Sequence, residues 1–225
     1  MSLPVSDSDT PEDLRRWRLP RGRHGLPREL VERSQRERLL AAVVKVTAAK
    51  GYESTTVGDI LGEAGVGRES FYELFDDKLA CMLAAHKILV DELEQRVREA
   101  YLDGGTWAER MRRGLAATLD WFAADPDAAR FALVELSTVG PAFRPTFQAE
   151  FARAVTVLEG AGGEDAPEPE LAQAYSLAAG TILARIYEEI VLGRTAELPR
   201  LLPDLTYELL VPFVGEERAR AAADA

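Results

Sequence analysis

The sequence is poor in the residue types that most chemistry and most covalent bracing require. Its one cysteine, Cys81, excludes an intrachain disulfide framework. It has two histidines, His24 and His86, and no His/Cys cluster at ligand spacing, so no metal site is expected. No phosphate-cradling glycine loop, nucleophile–base constellation or pair of catalytic carboxylates is present. The chain is therefore expected to be no enzyme, with no catalytic residues and no cofactor. No apolar run approaches the ~20 residues of a membrane span. The opening residues are polar and acidic and then turn arginine-rich, which does not fit a secretory leader. A cytoplasmic protein without a membrane partner is the expectation. A strand-like alternation and an internal repeat are also lacking, which points to an all-α fold.

What is present is apolar helix and polarised charge. The 225 residues are 47% hydrophobic, enough for one large helical domain or two smaller ones. The net charge of −11 is unevenly spread. Residues 1–80 carry 13 Lys/Arg and 14 Asp/Glu, whereas residues 81–225 carry 14 and 24. Six arginines (Arg15, Arg16, Arg18, Arg21, Arg23 and Arg28) fall within residues 14–28 without one acid. Phosphate would be repelled by the acidic remainder, so any nucleic acid is expected to dock at the N-terminal end.

The punctuation is helical throughout. Residues 1–27 contain four prolines and little apolar periodicity, as a flexible arm would. A capping box at Ser34–Glu37 precedes Leu39, Leu40, Val43, Val44 and Thr47, predicting a first helix over 34–50 that ends at Gly51. Thr55 or Thr56 caps a second helix carrying Val57, Ile60, Leu61 and Ala64. Gly58 and Gly62 lie inside it and either weaken it or admit a close neighbour. Gly65-Val66-Gly67 forms a turn, and a third helix over 68–74 buries Phe71 with Leu74 or Phe75. A long helix follows from Lys78 to about Leu102. Thr106–Glu109 is a second capping box, Asp125-Pro126 opens another helix, and Gly140-Pro141 interrupts the chain. Residues 160–169 read as a loop and 170–192 as a helix. A last helix follows the prolines at 199 and 203, and 215–225 reads as a frayed tail.

Two short helices around a Gly-Val-Gly turn make a helix-turn-helix, a unit that lays its second helix in the major groove. Arg68, Ser70 and Tyr72 share the exposed side of that helix. Arg68 can grip guanine O6 and N7, or touch only phosphate. Ser70 is small enough for close approach. Thr56 can present a helix N-terminus to phosphate, although capping alone is the simpler role. Lys78 fits a phosphate clamp. In the arm, Arg21 and Arg23 can lie in the adjacent minor groove. Glu69 and Glu73 oppose this pattern. Glu69 can accept from cytosine N4, but repulsion by the backbone favours acids that point away from DNA or pair with a neighbour.

Residues 34–78 resemble the N-terminal DNA-binding domain of TetR-type bacterial transcriptional regulators. The resemblance is carried by Gly51, Thr55-Thr56-Val57, Ile60, Ala64-Gly65-Val66, Phe71-Tyr72, Phe75 and Lys78, in order and closely spaced. It implies a homodimeric regulator of double-stranded DNA, with Tyr72 reaching a phosphate. The last two long helices would pair across a two-fold axis, and a small-molecule effector would release a repressor from a palindromic operator. The implied organisation is an arm (1–27), a three-helix helix-turn-helix domain (28–78), a larger helical ligand-binding and dimerisation domain (79–214) and a tail (215–225). Leu74 departs from the polar or basic residue often found there in the family. An all-helical binding or enzymatic protein that uses the turn motif only for packing is the alternative.

Large apolar residues in the second half suit a ligand pocket or an ordinary core: Trp107, Met111, Trp121, Phe122, Phe131, Tyr175 and Tyr187. Glu135, within an apolar stretch, would meet a cationic or hydroxylated ligand or face water. Small residues Ala178, Thr181 and Ala184, with Leu205, Leu209 and Phe213 of the last helix, form the expected dimer interface. Cys81 is either a redox sensor or a buried apolar residue.

Overall fold

The computed structural model describes residues 27–160 and 172–225, and every regular element among them is helical. The order is α1 (Arg28–Lys50), α2 (Val57–Ala64), α3 (Arg68–Leu74), α4 (Lys78–Leu102), α5 (Trp107–Ala124) and α6 (Pro126–Ala129). A π-helical segment (Arg130–Glu135) and a 3-10 segment (Leu136–Ala142) follow. Then come α7 (Arg144–Gly160), α8 (Ala172–Val191), a second 3-10 segment (Thr195–Leu201), α9 (Leu202–Val214) and α10 (Glu216–Ala223). The chain divides into two compact units between Ala85 and His86.

That boundary lies beyond the expected one at residue 78, because the first turns of α4 belong to the first unit. Cys81, Met82 and Ala85 are buried, and the Cys81 thiol lies 4.0 Å from the Leu39 carbonyl oxygen. Burial pushes the Cys81 thiol up to about 12, which makes it an inert core residue and not a redox sensor. The first unit closes around Leu39, Val43, Ile60 and Phe71, all fully buried.

α1 starts at Arg28, six residues before the expected capping box. Pro27 stands at its N-cap, and Ser34 lies inside the helix, with its carbonyl accepting from Arg38 Nε. The i,i+4 pairs Arg28–Glu32 (2.5 Å) and Arg33–Glu37 (2.9 Å) support the added turns. The glycines of α2 admit no neighbour. A Cβ on Gly62 would meet nothing within 4 Å, and one on Gly58 only the Thr56 hydroxyl at 3.5 Å. Gly62→Ala is therefore expected to stabilise the protein by about 0.5–1 kcal/mol, seen as a higher urea midpoint.

In the second unit the expected caps are in place. Thr106 and Glu109 exchange both bonds of a capping box, and Asp125 accepts from the Ala128 N–H with Pro126 at the first helical position. Gly140 (φ 77°, ψ −137°) breaks the chain before α7, a conformation that a side chain would strain. The tail expected over 215–225 is instead the helix α10. It packs on α9 and buries Ala219 and Ala223, and the Arg220 guanidinium stacks over the Tyr207 ring at 4.4 Å. The expected loop over 160–169 lies outside the described residues beyond Gly160.

Candidate nucleic-acid interface

The interface is assembled on α2 and α3. Gly65 turns the chain in the left-handed region (φ 61°, ψ 37°), where a side chain is disfavoured. Val66 plugs the turn at 7% exposure, and Gly67 is extended. Phe71 then anchors α3, with Phe75 tilted against it at 5.8 Å between ring centroids. Leu74 is half-buried and so belongs to the packed side, which accounts for an apolar residue there.

Arg68 and Tyr72 stand one turn apart on the exposed side of α3. Tyr72 is 49% exposed, packs its ring edge-on to Phe71 at 5.3 Å, and lies under the Arg68 guanidinium at 6.0 Å. The side chain of Tyr72 is thus rooted in the core through its ring while its outer part is free. Ser70 is half-buried and, at 100° per residue, falls on the opposite flank of α3 from both.

Two expected contacts take on internal duties. The Lys78 ammonium donates to the Tyr52 carbonyl at 2.7 Å and the Thr55 carbonyl at 2.8 Å, and sits over the Tyr52 ring at 4.0 Å. It ties the α1–α2 turn to the start of α4. Thr56 caps α2. Its hydroxyl accepts from the Asp59 N–H at 3.2 Å and donates to the Asp59 carboxylate at 2.7 Å. Lys50, 2.5 Å from Asp59, and then Thr56 hold that carboxyl well below the usual carboxylate range. Thr56 and Asp59 thus exchange both bonds of a capping box at the α2 N-terminus.

Arg38 is a residue that sequence reasoning missed. From α1 its Nη1 donates to the carbonyls of Ala64 (3.3 Å) and Gly65 (3.4 Å), bonding the end of α2 and the turn. Arg36 stacks on Phe75 at 4.9 Å. No local motif marks either, because the partners lie 26 or more residues away. Arg21 and Arg23 lie outside the described residues. The arm's junction is described: Arg28 is held charged first by Glu32 and then by Glu73 of α3, which lies within its electrostatic reach.

In the second unit, Trp107, Met111, Trp121, Phe122, Phe131, Glu135 and Tyr175 are all buried. Trp107, Tyr175 and Phe213 form one aromatic cluster, with Tyr175 stacked on Phe213 at 4.4 Å and Trp107 edge-on to Phe213 at 5.5 Å. The Trp107 indole N–H is buried with no acceptor among the described residues. Glu135 does not face water: it is 4% exposed and pairs with Arg130 at 3.0 Å across the π-helical segment. Tyr187 does not belong to this cluster, since it lies 40% exposed on the outer side of α8. The His86 ring donates from Nε2 to the Glu150 carboxylate at 2.8 Å and packs edge-on to Phe143. A separate cavity of about 130 Å³ between α9 and α10 is lined by Asp204, Tyr207, Glu208 and Arg220, and by none of the expected pocket residues.

The expected dimer residues divide. Ala178, Leu205 and Leu209 are buried within the unit, where α9 packs on α5, α8 and α10, and Phe213 joins the aromatic cluster. Thr181 and Ala184 are exposed, on a stripe of α8 that also presents Leu177 (73% exposed), Tyr187 and Val191 (47%).

Residues 39–85 match the family model described as bacterial regulatory proteins, tetR family. Among characterised sequences, the chain is 28% identical over 121 residues to an HTH-type transcriptional activator, FasR, of Mycolicibacterium smegmatis, covering 54% of this chain and 55% of that one. The chain spans about half the length of the curated relatives it matches. Its fold is that of the transcriptional regulator FadR from Bacillus subtilis in complex with stearoyl-CoA, with a TM-score of 0.66 at 20% identity, over 79% of this chain and 97% of that chain. A gamma-butyrolactone receptor (ArpA-like protein) gives a TM-score of 0.65 at 20% identity, over 86% and 96%.

Proposed function

We propose that this chain, a member of the tetR family of bacterial regulatory proteins through its N-terminal domain, is a homodimeric transcriptional regulator that binds a palindromic operator and leaves it when a small molecule binds. The observation that carries this reading is the outer side of α3, where Arg68 and Tyr72 stand exposed on a helix anchored by the fully buried Phe71. A turn motif used only for packing would have no need of that exposed pair. Arg68 grips guanine, Tyr72 bonds a phosphate, and Ser70 lets the helix approach. Lys78 and Thr56 act behind this surface, as tie and cap. Arg21 and Arg23 enter the minor groove beside it, a course supported by the arm's junction at Arg28 within reach of Glu73 on α3. The protein acts where the DNA is, in the cytoplasm.

Pairing of two copies runs through α8. Leu177, Ala184 and Val191 are spaced by seven residues, with Thr181 and Glu188 between them, and all five are exposed. This is the seam of a helix pair, and Ala184 allows close approach at its centre. Leu177→Glu is expected to shift the protein to a monomer in analytical ultracentrifugation while its helicity is kept. A dimer as stable as the parent would place the interface elsewhere.

The effector is proposed to enter the second unit at the aromatic cluster, where the unmet Trp107 N–H would bond it. Fold neighbours that hold stearoyl-CoA or receive a butyrolactone support an effector with an apolar body. Repression is the proposed sign. FasR, named as an activator, supplies the second reading, and a reporter fused to the operator separates the two.

The contact on α3 is tested by Arg68→Ala, expected to cost about 1–3 kcal/mol of operator binding and to relax specificity at one position. A loss equal on all sequences would make Arg68 a phosphate contact only.

A further inference from the structure

The centre of the outward side of α3 is occupied by acid. Phe71 points straight into the core. At 100° per residue, the positions most nearly opposite it are two residues before and two after, Glu69 and Glu73. Both are exposed. Arg68 and Tyr72 flank this pole on one side. A helix laid in the major groove by its outward side would carry these carboxylates towards the bases.

Their surroundings differ. Glu73 lies within electrostatic reach of Arg28, one helix away. Glu69 makes no hydrogen bond or ion pair among the described residues. Beside DNA, an unneutralised carboxylate is repelled by phosphate unless it accepts a hydrogen bond from a base edge. Two bases offer an amine in the major groove. Adenine sets its N6 amine beside the N7 acceptor, which repels a carboxylate. Cytosine offers the N4 amine with no acceptor on its own major-groove edge, so it suits an acceptor-only side chain.

We propose that Glu69 is a specificity-determining residue that accepts the exocyclic amine of a cytosine in each half-site. This rests on the DNA-reading function proposed above and names the base chemistry of one of its contacts. The carboxylate weakens binding to every sequence through repulsion and recovers that loss only where the amine is present. Glu69 thus rejects wrong sites more than it strengthens the right one.

The test is selection from random duplexes by the full-length protein and by E69A and E69Q, followed by titration of the selected duplex and its single-base variants. Glu69 is exposed, so both variants are expected to keep the parent's helicity. The parent should fix a cytosine in each half-site. Replacing it by thymine, which presents an oxygen instead of the amine, should weaken binding about 5- to 150-fold. E69A should lose that discrimination to within about twofold and bind unrelated DNA more tightly. E69Q, which can both donate and accept, should shift the preference at that position towards adenine. A selective parent whose E69A variant keeps the same cytosine overturns this assignment alone. A parent that selects no sequence overturns the DNA-reading function and this assignment with it.

Discussion

Phe71→Ala is expected to destabilise the protein by about 3–5 kcal/mol, whereas Tyr72→Ala, the next residue, costs about 1 kcal/mol or less. The difference follows from burial. Phe71 is 0% exposed and touches both Tyr72 and Phe75, while Tyr72 is 49% exposed. Domain stabilities are about 5–15 kcal/mol, so the loss at Phe71 removes much of what holds the small first unit together. DNA binding should vanish with it. Tyr72→Ala should stay folded and bind all sequences more weakly by a similar factor, because a phosphate contact positions and does not specify. Urea melts followed by circular dichroism, paired with titrations of one specific and one unrelated duplex, check both halves. A Tyr72→Ala protein with unchanged affinity for both duplexes would remove Tyr72 from the interface.

Removal of residues 1–27 is the second large effect. Each phosphate contact adds about −0.9 to the slope of log K against log salt. Loss of the contacts from Arg21 and Arg23 alone makes that slope shallower by about 2, and loss of all five arginines in the deleted segment by about 4 to 5. The affinity gap between full-length and truncated protein should then narrow by about 10- to 1000-fold between ~50 and ~200 mM salt. Helicity should be kept apart from fraying at the start of α1, whose N-cap is Pro27. Equal slopes with and without the arm would show that its arginines stay in solvent. R21A/R23A in the full chain separates the two named arginines from the others.

Legibility in the sequence followed the range of the interaction. The turn Gly65-Val66-Gly67, the caps at Thr56, Thr106 and Asp125, and the anchoring by Phe71 were legible because each is set within a few residues. Arg38 and Lys78 were not, since their acceptors lie 23 to 27 residues away and no periodicity marks a side chain bonded to a distant carbonyl. The start of α1 was misplaced because an S-x-x-E pattern inside a helix looks like one at its end, and the ion pairs that extend the helix carry no capping signal. The tail became α10 because its alanines, poor in apolar surface singly, find a ready-made face on α9. On α8 and α9 the small and apolar residues were visible, but which face turned inward depended on the neighbours. That is why Leu205 and Leu209 proved to be core and Leu177, unremarked in the sequence, proved to be exposed at the start of the α8 stripe.

The roles of Glu69 and Glu73 show the same limit from the other side. Their charge was legible, and their direction was not, since direction needs the core that Phe71 defines. With α3 anchored by Phe71, both acids fall on its exposed side.

The central claim is that the helix-turn-helix reads a defined, two-fold DNA sequence. Selection from a pool of random duplexes by the full-length protein, repeated at ~50 and ~200 mM salt, tests it most directly. The account predicts enriched sequences with two inverted half-sites whose centres lie about one helical turn apart, or a multiple of it, and an affinity that falls steeply with salt. A pool that emerges as random as it entered, at the lower salt, would contradict it.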